Sequence, residues 1–201
     1  MNQSLTTLVF TAVLISACSA LDTPTFQNNY SLYNREALKA EKEGNWDAAA
    51  KRYFLALQNS EWANEGKGVR ADFHYKLGRA LGATCQFEKS EQNLDQANKL
   101  NPRVPQALAE LGRLKLSQNK LADALGYFER ALPGLENSTS IDPIGIAEIF
   151  DDYSSAFNKS SKAADATSIT KRAETLRAAN SGKSAAMIKP PYGGQCSQKK
   201  S

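Results

Sequence analysis

The apolar residues divide this 201-residue chain into three stretches of different character. Leu5 to Ala17 (LTTLVFTAVLISA) is an apolar run interrupted only by hydroxyl side chains. From Tyr30 to Asn180, large apolar and small residues recur at fixed offsets, which predicts helices that each bury one face. From Ser181 onward, SGKSAAMIKPPYGGQCSQKKS carries no periodicity and predicts a flexible end.

The middle stretch repeats itself. Leu77-Gly78 recurs 34 residues later at Leu111-Gly112, and Ala97 recurs at Ala131. Four units align, beginning at Tyr30, Ala71, Pro105 and Ala147. Ala37, Gly78, Gly112 and Ser154 hold a small position on each first helix. Each second helix has two more: Ala49, Ser90, Ala124 and Ala166, then Ala56, Ala97, Ala131 and Ala173. Antiparallel helices come within about 8 Å of each other only where the facing side chains are small. Large residues stand beside them: Tyr33, His74, Leu108 and Phe150 at one offset, and Tyr53, Leu94 and Phe128 at another, with Thr170 breaking the set. His74 is thereby expected in a packing position and not as a base.

A 34-residue period with small residues at these offsets resembles the tetratricopeptide repeat (TPR). The resemblance implies an all-α, right-handed superhelical solenoid of about four helix-turn-helix units, across residues 30–63, 71–104, 105–138 and 147–180. Asn64–Arg70 and Thr139–Ile146 are inserts between units, suited to loops or to lengthening the preceding helix. The last unit has a polar second helix, as expected of a terminal cap that shows one face to water.

Leu14-Ile15-Ser16-Ala17-Cys18 resembles the bacterial lipobox, in which the cysteine thiol accepts a diacylglycerol group and becomes the first mature residue. The run before it is shorter than the roughly 20 residues needed to span a bilayer and has the length of a secretory h-region. The segment before that run, Met1-Asn2-Gln3-Ser4, departs from the pattern in lacking Lys and Arg. The resemblance implies a leader over residues 1–17, a lipid anchor at Cys18 and a polar tether over residues 18–29. Ser19 is not the aspartate associated with inner-membrane retention, so the expected destination is the periplasmic face of the outer membrane.

In TPR solenoids the first helix of each unit lines the concave face. Transferring those offsets places Asn34, Asp72, Tyr75, Arg79, Arg113 and Asp151 in the groove, with Arg79 and Arg113 at equivalent positions of neighbouring units. Paired guanidinium groups suit a carboxylate or chain terminus of a protein or peptide partner. The alternative is that they pair across the groove with Asp72, Glu148 or Asp151 and bind nothing.

Composition narrows the function classes. The net charge of +4 comes from Lys183, Lys189, Lys199 and Lys200 in the last segment, which holds no acidic residue. No basic stripe for nucleic acid exists elsewhere. One histidine excludes a multi-histidine metal cage, and no zinc spacing or nucleophile elbow is present. Gly182-Lys183-Ser184 resembles the end of a phosphate loop, but Arg177 stands where glycine is required. No cofactor, metal or catalytic residue is expected. Cys85 and Cys196 form either a disulfide tying the tail to the solenoid or two free thiols. The expected function is a non-enzymatic interaction scaffold at the outer membrane for pilus, secretion or similar envelope machinery. The alternative is a periplasmic binder of a cell-wall or polysaccharide ligand.

Overall fold

The computed structural model describes residues 25–194 and Cys196. The expected leader, the expected anchor at Cys18 and the expected tether as far as residue 24 lie outside the described residues. Eight helices are present among those described and no strand: α1 (residues 25–42), α2 (Trp46–Trp62), α3 (Lys67–Ala83), α4 (Phe87–Leu100), α5 (Gln106–Ser117), α6 (Leu121–Glu136), α7 (Pro143–Lys159) and α8 (Ala163–Ala179). Consecutive helices pair into hairpins, and each hairpin stacks on the next, with α3 meeting α5 and α5 meeting α7 along one side. None of the helices is long and apolar enough to cross a membrane.

All twelve small positions of the repeat are buried. Their size is a steric requirement. A Cβ on Gly78 would lie 2.7 Å from Leu94 Cγ, and one on Gly112 would lie 2.8 Å from the Phe128 ring. In the last unit Ser154 and Thr170 replace that knob and hole with a hydroxyl–hydroxyl contact of 2.7 Å. Thr170 thus joins the two helices by hydrogen bonding where the other units use bulk. The core is continuous through units three and four around Leu111, Leu114, Phe128 and Phe150, and a second cluster around Tyr53, Phe73 and Leu77 fills units one and two.

The turns inside the hairpins share one device. Gly44, Cys85, Asn119 and Ser161 occupy the same place in their units, and all have positive φ, between 58° and 71°. This left-handed position ends each first helix and favours Gly or Asn. A cysteine there carries a steric cost of roughly 1–2 kcal/mol.

Three boundaries differ from expectation. Residues 25–29 are helical, not tether, because Phe26 packs on Trp62 with centroids 5.4 Å apart and Gln27 donates to Glu65. The second halves of both inserts extend the following helices, so α3 starts at Lys67 and α7 at Pro143. Asp142 enables the latter by capping the backbone N–H groups of Ile144 and Gly145. The tail is not a free end, as described below.

Overpacking the knob-and-hole contact tests this account of the repeat. Gly112→Val should destabilise by about 1–3 kcal/mol, at about 2–4 °C of Tm per kcal/mol in a chain of this size. Adding Phe128→Leu should recover part of the loss in thermal denaturation followed by circular dichroism. An unchanged Tm in the single variant would refute the steric role.

Candidate functional site

The concave face is crossed by a row of alternating charges drawn from four hairpins and the tail. Glu41 ends α1, Arg79 stands on α3, Glu110 and Arg113 on α5, and Asp152 on α7. Arg79 Nη1 donates to Glu41 Oε1 at 3.2 Å, and Arg79 Nε lies 3.7 Å from Glu110 Oε1. Arg113 donates to Glu110 at 2.8 Å and to Asp152 at 2.7 Å. Lys189 of the tail closes the row on Asp152 at 2.6 Å. Six unit charges of alternating sign cancel, which makes their burial tolerable. Arg79 is 1% exposed, Glu110 3%, Glu41 4% and Arg113 8%. Arg79 also lies over the rings of Tyr75 and Trp46, 5.6 and 6.0 Å from their centroids.

Position along the row sets the carboxyl acidities. Burial pushes Glu110 up, but Arg113, Arg79 and the hydrogen bonds from Tyr192 and Arg113 overcome it and hold the group below the usual carboxylate range. Glu41 sits at the end with one arginine, and there burial wins and raises it. Tyr75 and Tyr192 are both raised, by burial first.

The tail is the groove's occupant. Arg79 Nη2 donates to the Ile188 carbonyl at 2.5 Å, and the Tyr192 hydroxyl donates to Glu110 Oε2 at 2.7 Å. The Ala186 N–H donates to Asp142 at 3.1 Å, so one carboxylate caps α7 and holds the tail. Gly82 makes room for the tyrosine: a Cβ there would come within 2.6 Å of Tyr192 Cε1. Pro190 is buried, and Cys196 is joined to Cys85 by a disulfide with Cα atoms 5.6 Å apart. Directional contacts hold residues 186–192 against the groove, and the cross-link spans 111 residues of sequence. Two cavities of about 190 Å³ each remain beside Met187, one against α5 and α7 and a more apolar one against α3 and α5.

The six groove residues read from the sequence do not form one surface. Tyr75, Arg79 and Arg113 gather at the charge row. Asn34 and Asp72 lie at its edge, each contacting Lys76, at 3.1 and 2.7 Å. Asp151 turns away and pairs with Arg177 of α8. Arg79 and Arg113 are paired across the groove, but with Glu41, Glu110 and Asp152 in place of Asp72, Glu148 or Asp151. Asp152, next to Asp151 in sequence, is drawn inward by Arg113 and Lys189. Glu110 and Asp152 were missed because they share an offset, the sixth of their units, that lies outside the transferred set; the available signal was the i,i+3 spacing of Glu110 and Arg113. His74 is part-buried, with Nδ1 2.9 Å from Asn93 Oδ1. No group of three or more metal-ligating side chains occurs among the described residues.

Solved structures share this architecture. BtubC (BKLC) from P. vanneervenii superposes with a TM-score of 0.65 at 23% identity, over 79% of this chain and 69% of that one. A MamA crystal structure gives 0.57 at 16% identity, over 91% and 100%. The nearly identical TPR-like repeats of a Podosopora anserina protein described as a kinesin light chain give 0.55 at 13%, over 77% of each. No protein-family model and no curated protein matches the chain. At these identities the likeness shows the fold alone: an all-α solenoid of TPR-like repeats.

Two measurements test the site. Glu110 has a depressed folded-state pKa, so its stabilisation is present above the unfolded value near pH 4.3 and is lost as pH falls through the folded value. Thermal melts between pH 6 and 3 should therefore fall more steeply for the wild type than for Glu110→Gln; parallel curves would contradict the assignment. Cys85→Gly should change sign with redox state. With dithiothreitol the variant gains by removing the roughly 1–2 kcal/mol left-handed cost, less the roughly 0.5–1 kcal/mol entropic cost of glycine. Without reductant it loses the cross-link, worth about 2–4 kcal/mol. The same sign in both melts would refute the cross-link's role.

Proposed function

We propose that this chain is a non-enzymatic scaffold, lipid-anchored through Cys18 at the periplasmic face of the outer membrane. Its concave face holds a segment of a partner protein and helps assemble or stabilise an envelope complex such as pilus or secretion machinery. The observation that carries this reading is the tail in the groove. The face satisfies a backbone carbonyl, a backbone N–H, an ammonium and a phenol of a non-helical segment, which is the chemistry of peptide recognition. A preformed surface leaves most of the ordering cost to the bound segment. Carbohydrate recognition has less support, because Tyr75 is engaged with Arg79 instead of presenting an open stacking face.

Arg79 and Arg113 are unsuitable probes of partner binding, since removing Arg79 strips buried Glu41 of its arginine and removing Arg113 breaks its buried pairs with Glu110 and Asp152, at a cost of up to about 3–5 kcal/mol. Leu38, four residues beyond Asn34 on α1 and so on the same helix face, is 36% exposed and suitable. A photo-cross-linking residue at Leu38 in the full-length protein should give a discrete adduct with an envelope protein in the outer-membrane fraction, and Cys18→Ser should release the scaffold from that fraction. Absence of any adduct with correctly localised protein would refute the scaffold function. Continued sedimentation of Cys18→Ser would refute the anchor.

A further inference from the structure

The tail displays the recognition pattern of the groove it fills. Ile188-Lys189-Pro190-Pro191-Tyr192 places a carbonyl on Arg79, an ammonium on Asp152 and a phenol on Glu110. The spacing is set by two prolines, whose φ is fixed near −65° and which bias the preceding residue to extended geometry. Such a segment loses little entropy on docking. The ring fits because Gly82 has no Cβ: one there would lie 2.6 Å from Tyr192 Cε1. Residues 186–189 keep a solvent-exposed outer side, so the segment lies on the groove as a ligand would. The cysteine that holds it stands at the one hairpin turn where a cross-link explains a residue other than Gly, Asn or Ser in the left-handed position.

We propose that residues 186–192 are a resident ligand in cis. The groove's partner is then a proline-containing segment with a lysine three residues before a tyrosine, which exchanges for the tail once the Cys85–Cys196 disulfide is reduced by a dithiol. The proposal rests on the scaffold function above and names its partner chemistry and its control. In the redox step, a thiolate of the dithiol attacks Cys196 Sγ, the S–S bond breaks, and Cys85 leaves as a thiolate that takes a proton. The second thiol of the donor then displaces Cys196 from the mixed disulfide, so the dithiol is oxidised by two electrons and the protein carries two thiols. Reduction leaves the tail tethered at one end, where a flexible linker still gives an effective concentration of order millimolar. Exchange therefore favours a partner that binds more tightly than the tail or is itself held nearby.

A fluorescent synthetic peptide of residues 184–194 serves as the probe, with full-length protein in detergent measured by fluorescence anisotropy. The oxidised protein should show no saturable binding. Reduced protein, and Cys196→Ser as a reductant-free counterpart, each carrying Tyr192→Ala so that the tethered tail no longer competes at its millimolar effective concentration, should bind saturably, and a peptide with alanine in place of the tyrosine should lose about tenfold. Helicity by far-UV circular dichroism identifies any preparation that has unfolded, and the other of the two opened forms then gives the answer. No binding to folded, opened protein overturns the proposal, as does equal binding to oxidised protein or indifference to the tyrosine. A negative result here alongside a Leu38 adduct leaves the scaffold function standing. Peptide binding without any adduct in the envelope refutes that function while keeping the groove's specificity.

Discussion

Arg79, 1% exposed at the centre of the concave face, reaches Glu41 of α1 on one side and Glu110 of α5 on the other. A guanidinium cannot shed its charge at accessible pH, so its burial obliges the surroundings to supply anions. The rest of the site follows. Glu110 needs a second cation and finds Arg113; Arg113 needs a second anion and finds Asp152; Asp152 takes Lys189 from the tail. Each member belongs to a different helix or lies one turn along the same one, so the row fixes the relative rotation of four hairpins as well as neutralising itself.

The row also explains the tail. Glu110 retains one oxygen for a donor and Arg79 one nitrogen for an acceptor, and these are taken up by Tyr192 and the Ile188 carbonyl. The segment takes up two groups that the solenoid leaves open, while Arg79 Nε and Arg113 Nη2 stay without a hydrogen-bond partner. The concave face thus meets the tail with groups of fixed charge and geometry. It also makes occupancy of the groove by the tail a condition of low energy.

The two levels of structure were unequally legible. The small positions, from Ala37 to Ala173, and the large ones opposite them could be read from spacing, because a helix hairpin imposes the same close approach in every unit. The polar second helix of the last unit was likewise legible as a cap, and it buries only Ala166, Ile169 and Ala173. The boundaries were less so: Phe26 lengthens α1 because of Trp62, a partner more than thirty residues away in sequence.

The sequence by itself determined the repeat, its all-helical class, the position of Arg79 and Arg113 on one face, and the cysteines at 85 and 196 available for pairing. All of these depend on local spacing or on counting. Only the tertiary structure decided which carboxylates meet those arginines, since Glu41, Glu110 and Asp152 come together through the stacking of units and not through any short-range pattern. It alone turned an aperiodic, lysine-bearing end into the occupant of the groove. Nothing in that segment predicts order by itself; its order comes from Gly82, Glu110, Asp142 and Cys85, which the solenoid first has to bring into reach.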